Sequence, residues 1–177
     1  MEIRRKLLLP GQYYVTDSPM ILETIVGSCV AVCLFNRKNS FSAMNHFLLD
    51  ASANPHEMDI GRYGNTATEY ILNKLFAVDP CPTHYQGQVF GGAAVFKNST
   101  ADDLGERNIA IAMEILAAHH IKVIHTEVGG SRGRRIKFDT ASNTVDCRFT
   151  GDIPRKNTNK LRAVEPQSKK FTTDFTD

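Results

Sequence analysis

The 177-residue chain reads as an α/β sandwich with a mixed, strand-rich sheet, and three observations predict this. Short apolar or alternating runs bounded by turn residues dominate the sequence. Only two stretches carry the i, i+3, i+4 spacing of an amphipathic helix. The order of elements is several strands, a helix, a strand, a helix and then three strands, which argues against a strictly repeating βαβ fold. A hydrophobic fraction of 42% and a charged fraction of 23% are ordinary for a chain long enough to bury its own core.

Each element has a local reason. Tyr13–Thr16 is a short strand closed by the turn-forming Asp17-Ser18-Pro19. Met20–Val26 is a second extended run and Cys29–Phe35 a third. In the third run Val30, Val32 and Leu34 point one way, and Ala31, Cys33 and Phe35 the other. A strand that is apolar on both sides is covered on both faces. Asn36–Ser40 turns the chain into an extended Phe41–Leu49, followed by a polar loop at Asp50–Gly64. Asn65 caps a predicted helix through Ala77, with Ala67, Tyr70, Ile71, Lys74 and Leu75 as its stripe. Gln88–Phe90 is a strand running into Gly91-Gly92-Ala93, and a second helix spans about Asn108 to His119. Ile121–Val128 is a strand, and Arg134–Phe138 with Thr144–Thr150 form a hairpin across "DTASN". Beyond Pro154 the pattern stops. Residues 1–154 therefore form the domain, and 155–177 read as a mobile polar and basic tail.

Charge and cysteines exclude several classes. The net charge is +2, but residues from Arg155 onward hold six basic against three acidic side chains. The body is left with 15 basic and 16 acidic residues, which gives no electrostatic case for nucleic acid. The basic start "MEIRRKLLLPG" has an apolar run only from Leu7 to Leu9, too short for a secretory signal. No window approaches the ~20 apolar residues of a membrane span. Cys29, Cys33, Cys81 and Cys147 are then expected as free thiols in a reducing cytoplasm.

Cys29 stands apart because it follows Gly27-Ser28 at the mouth of an apolar strand. A thiol is nucleophilic only as thiolate and needs a partner to take its proton, most often a histidine. Among six histidines, His119 and His120 end a helix, His56 and His84 lie in proline-containing loops, and His125 alternates within a strand. His46 is in the strand that directly follows the cysteine strand. With the turn centred near Lys38, Cys29 and His46 fall close to opposite one another in an antiparallel pair. That spacing permits a Cys–His pair, the minimal unit of thiol-based acyl transfer, and equally permits a packed thiol beside a satisfied imidazole. A zinc site at Cys29, Cys33 and His46 is disfavoured, because residues four apart on a strand lie ~13 Å from each other.

"TIVGSCVAVCLF" with "AMNHFLL", then "GGAAVF", "LGERNI" and "VGGSRGRRIKFDTASNTV", resembles in order the CheD family, the chemoreceptor glutamine deamidases of bacterial chemotaxis. The resemblance spans Tyr13 to Thr150 and leaves the tail outside. It implies a three-layer α/β sandwich with two main helices, and a Cys–His pair like that of the cytotoxic necrotizing factor toxins. By the motif match Cys29 is the nucleophile, His46 the base, and Thr24 the threonine that orients the histidine.

The chemistry so implied is attack of Cys29 on a glutamine carboxamide, with Ser28 and Cys29 N–H groups holding the oxyanion and Gly27 letting the backbone turn. No metal or organic cofactor is required. A receptor glutamate methyl ester is a second substrate that the resemblance suggests. Gly91 and Gly92, with Ser131 and Arg132 after the second glycine pair, are candidate substrate contacts or simple turn residues. Asn45 reads as structural. Expected partners are chemoreceptor cytoplasmic helices and a CheC phosphatase. The latter raises an alternative, a binding module that regulates a response-regulator phosphatase. A cysteine hydrolase of another amide or ester is the remaining alternative.

Overall fold

The structure, a computed structural model, describes residues 3–52, 54, 59–95 and 102–151. In chain order the strands and helices are β1 (Arg5–Leu7), β2 (Tyr13–Thr16), β3 (Ile21–Val26), β4 (Val30–Asn36), β5 (Ser42–Asn45), α1 (Gly64–Phe76), β6 (Tyr85–Gly91), α2 (Asp102–Ala118), β7 (Lys122–Val128), β8 (Arg134–Asp139) and β9 (Thr144–Phe149). Single 3₁₀ turns at Ile60–Arg62 and Pro82–His84 lead into α1 and β6.

Every residue of β4 is buried, and this strand shows how the layers arise. Its Val30, Val32 and Leu34 pack with Ala67, Ile71 and Leu75 of α1 and Ala112 and Leu116 of α2. Its Ala31, Cys33 and Phe35 pack the opposite way, with Leu22 of β3 and Ile136 and Phe138 of β8. One strand thus faces two separate cores. The result is three layers: helices, a five-stranded sheet ordered β2-β5-β4-β6-β7, and a four-stranded sheet ordered β1-β3-β8-β9. Both sheets are mixed. β1–β3 and β6–β7 are parallel and the remaining pairs antiparallel.

Several boundaries differ from the sequence reading. β1 was not expected: its three residues are all exposed, so no burial pattern marks it, and parallel pairing with β3 holds it. β5, at Ser42–Asn45, is shorter than Phe41–Leu49; beyond it only an isolated Val30–Phe47 bridge continues the pairing with β4. β6 is longer than Gln88–Phe90, since Gly87 faces the core, where a Cβ would meet Leu34 Cδ2 at 3.3 Å. Asn65 is not the cap of α1. It lies inside the first turn, where its Oδ1 accepts from the Ser52 and Thr66 amides at 3.0 and 2.9 Å. α2 starts at Asp102 rather than Asn108. The glycine in "LGERN" disguises its first turns, as glycine weakens a helix. Gly105 is there because a Cβ would lie 2.4 Å from the Gly92 carbonyl oxygen. The chain boundary at 154 and the 155–177 tail lie outside the described residues.

Gly105 supplies a test of this packing. Glycine-to-alanine exchange inside a helix ordinarily stabilises by about 1 kcal/mol. Gly105→Ala should instead destabilise by about 1–3 kcal/mol, as overpacking does. Urea denaturation reads the sign directly, and a stabilised variant would refute the tight α2–Gly92 contact.

Candidate active site

The site lies where β3, β4 and β5 end together. β4 and β5 pair as Cys33–Met44, Leu34–Ala43 and Phe35–Ser42, and an isolated Val30–Phe47 bridge continues that register. Cys29 therefore stands diagonal to His46, across from Leu48, rather than opposite the ring as the turn arithmetic has it. Both still share a face. Cys29 packs against the cluster between the sheets, and His46 reaches Thr24 of β3 across the same space.

His46 is 1% exposed. The Thr24 hydroxyl donates its one proton to the Leu8 carbonyl oxygen at 2.8 Å. Toward His46 Nδ1, 2.7 Å away, that oxygen can only accept, so Nδ1 carries the ring proton. Nε2 is left as a bare lone pair, buried and without a hydrogen-bond partner among the described residues. Burial drives the imidazole down from 6.5 to about 4, with the Leu8 backbone acting the other way. Cys29 is half-buried. Burial raises its thiol, and its own backbone N–H pulls in the opposite direction. The resting pair is consequently a neutral thiol near a neutral imidazole, not joined by a hydrogen bond. Such bonds are commonly long before substrate arrives and tighten only in the complex.

The loop carrying Cys29 is pinned by its carbonyls. Gly27 O accepts from the Ala93 amide at 2.8 Å and Cys29 O from the Gly92 amide at 2.8 Å. Ser28 O accepts from Asn108 Nδ2 at 2.9 Å. The amides of Ser28 and Cys29 have no oxygen acceptor among the described residues; the Cys29 N–H lies against its own sulfur, and both dipoles are of the kind that can meet an anion. Gly91, at φ 109°, passes so close that a Cβ would sit 2.2 Å from Cys29 O. Here positive φ and close approach are both needed. Gly27 is different: its φ is not positive, and it opens the bend at 27–29 that joins β3 to β4. It makes room beside Val95, whose Cγ2 would be 3.1 Å from an added Cβ.

Other candidates fall farther away. Ser131 and Arg132 are exposed, and the glycine pair before them is tied to the segment beside the Cys29 loop by Ala94 N–H to Gly130 O and Gly129 N–H to Gly91 O, at 2.8 and 2.9 Å. Arg132 donates to Thr150 O at 3.1 Å and lies 4.5 Å over the Phe149 ring. Asn45 faces the helix layer, accepting from the Val32 amide at 2.9 Å and donating to Thr68 Oγ1 at 3.2 Å. Cys33 is buried, which pushes its thiol far up, and Cys147 is pushed up by burial and by Glu127. His84, His119 and His125 pair with Asp79, Glu69 and Glu127; His56 lies outside the described residues. No three His, Cys, Asp or Glu side chains converge in metal-binding geometry among the described residues. No helix among them is long and apolar enough to cross a membrane. Two contributors were missed by the sequence reading. Leu8 acts through a backbone carbonyl, which no side-chain pattern reveals. Asn108 stands in the "LGERNI" motif, but the sequence marks it only as a helix start.

Residues 48–149 match the family model described as CheD chemotactic sensory transduction. A probable chemoreceptor glutamine deamidase CheD from Sulfurimonas denitrificans is 35% identical over 156 residues, covering 84% of this chain and 96% of its own length. Its counterpart from Trichlorobacter lovleyi is 37% identical over 144 residues, covering 81% and 89%. Among solved structures, the Bacillus licheniformis hypothetical protein YfiH aligns with a TM-score of 0.40 and 11% identity, over 65% of this chain and 49% of that one.

The buried imidazole predicts an acid-labile fold. The unfolded chain takes up a proton near 6.5, whereas folded His46 does so only near 4. Stability from this group is complete above 6.5 and is lost as pH falls toward 4, by about 3 kcal/mol. Urea denaturation at neutral and acid pH measures it. A flat profile, or one that His46→Leu leaves unchanged, would contradict the buried neutral ring.

Proposed function

The chain belongs to the CheD family, and on that premise we propose that it is a protein-glutamine deamidase. It converts glutamine side chains of chemoreceptor cytoplasmic helices to glutamate, in the cytoplasm, with release of ammonia. The observation that carries the reading is the oriented imidazole: Nδ1–H held by Thr24 and Nε2 bare, in the space against which Cys29 packs.

The steps follow from that arrangement. A glutamine side chain enters over the half-buried Cys29. As sulfur attacks the carboxamide carbon, the thiol proton passes to His46 Nε2, so neither group need be charged beforehand. The amide oxygen gains the negative charge and takes hydrogen bonds from the Ser28 and Cys29 N–H groups. The C–N bond then breaks, the proton on Nε2 goes to the departing nitrogen, and ammonia leaves a thioester on Cys29. Water enters, gives a proton to Nε2 and adds to the thioester carbon. Collapse expels sulfur, which recovers the proton, and glutamate is released. Throughout, Thr24 keeps the ring from flipping, because a flipped ring would bring a protonated nitrogen to the thiol.

The reading separates cleanly from that of a binding module for a CheC-type phosphatase. Cys29→Ala should abolish glutamine-to-glutamate conversion in receptor fragments, scored by peptide mass spectrometry and ammonia release, while partner binding persists. Conversion that survives the substitution would remove Cys29 from the reaction. The neutral resting pair also sets the pH dependence. The acid limb of kcat/KM should fall well below 6.5, near the His46 value of about 4, because only protonation of Nε2 disables the base. The alkaline limb should lie above the ordinary thiol value, in the direction burial moves Cys29. An acid limb at or above 6.5 would point instead to a preformed thiolate–imidazolium pair.

A further inference from the structure

The hydrogen-bond ladder between β4 and β5 is interrupted at the catalytic end. Val30 and Phe47 exchange both of their backbone bonds, at 3.2 and 3.0 Å. In an antiparallel pair the next such exchange falls two residues on, between Ser28 and Leu49. It does not form. The Leu49 amide donates instead to Arg62 O at 3.1 Å, and Leu49 O accepts from Gly64 at 2.7 Å. The loss strands two groups on Ser28, a carbonyl and an N–H. Free N–H groups are what an oxyanion needs, but a stranded carbonyl would let the loop move.

Asn108 supplies the missing donor. It is fully buried on α2, at 0% exposure, and its Nδ2 reaches Ser28 O at 2.9 Å and Leu48 O at 2.9 Å. Both partners are carbonyls, so the orientation of the carboxamide is decided: its two N–H bonds are spent on them. One partner immediately precedes Cys29 and the other lies two residues after His46. Its Oδ1, in return, is buried with no partner among the described residues. An unsatisfied buried carbonyl lowers stability, so this position carries a group whose value lies in its donors.

We propose that Asn108 is a positioning residue for deamidation: its carboxamide clamps the Cys29 loop to the end of the His46 strand. It replaces only the acceptor's half of the broken ladder rung, and so the Ser28 N–H stays free for the oxyanion. The inference rests on the deamidase reading and names a residue through which Cys29 and His46 are held in register. Asn108 itself touches no substrate. The neighbouring packing fits the same purpose, since Gly105, one turn earlier on α2, is pressed against Gly92, whose amide binds Cys29 O.

The test uses the full chain with Asn108→Ala, which removes both donors, and Asn108→Asp, which keeps the shape but turns acceptors toward two carbonyls. Deamidation kinetics on receptor fragments are combined with the pH dependence of Cys29 alkylation by iodoacetamide, followed by mass spectrometry. Circular dichroism establishes that each variant is folded at the assay temperature. The expected result is a kcat lowered by about 10- to 100-fold, as for an ångström-scale misplacement of reacting groups, with KM within about twofold of wild type. The alkylation profile should shift in parallel. A folded variant with wild-type kcat and a wild-type alkylation profile would overturn the clamp. So would failure of both variants to fold, which would assign Asn108 to stability alone. If the wild type itself releases no ammonia from receptor fragments, the deamidase reading falls, and the alkylation profiles still decide whether Asn108 positions the thiol.

Discussion

The hydrogen-bond chain from Leu8 through Thr24 to His46 is the constraint on which the site depends. It runs between the two sheets, in a space otherwise filled by Leu22, Phe90, Ile136 and Phe138. In such surroundings a hydrogen bond is electrostatically stronger than in water, and an unmade one costs more. A ring 1% exposed therefore has few orientations open to it. Because the Thr24 proton is committed to a backbone carbonyl, the tautomer of His46 follows from connectivity rather than from pH. The same burial that holds the ring also keeps it neutral, and a neutral imidazole is the form that can accept a proton from sulfur.

The Cys29 loop is organised differently, through its own backbone carbonyls. Its three carbonyls are held by Ala93, Asn108 and Gly92, while the amides of Ser28 and Cys29 donate to no oxygen among the described residues. This requires that β6 leave its strand within van der Waals distance of Cys29 O, and only a residue without a Cβ can do so at Gly91. Two of the three buried side-chain atoms left without a partner among the described residues, Nε2 of His46 and Oδ1 of Asn108, lie at this same place, the third being Arg134 Nε. Unpaired buried groups are usually costly exceptions, and a fold that keeps them violates a rule of stability that is most often relaxed at functional sites.

Legibility followed the strength of the local signal. β4 was readable because an all-apolar run has no other comfortable place than between two layers. The α1 stripe was readable in part: Ala67, Ile71 and Leu75 are buried, whereas Lys74 lies outside, over the Tyr70 ring at 5.2 Å. The start of α2 was hidden by Gly105, whose cause is a contact with a residue 13 positions earlier in the chain, at Gly92. β1 was hidden because three exposed residues carry no period. At the site, the hairpin arithmetic puts Cys29 and His46 near the same end and close to opposite one another; that they share a face comes from the observed register. The arithmetic missed the diagonal offset, because a turn centre inferred from composition is uncertain by a residue.

The sequence alone determined the number of layers a strand like β4 demands, the two amphipathic helices, and the candidate trio Cys29, His46 and Thr24, the last through motif resemblance. These depend on local periodicity and on the residue types that chemistry requires, both written along the chain. Tertiary structure decided the rest: that a carbonyl at Leu8 commits the Thr24 proton, that Leu49 turns away to Gly64, and that Asn108 takes up the carbonyl left behind. Each joins segments far apart in the chain through backbone groups common to every residue, so no side-chain pattern could have announced them.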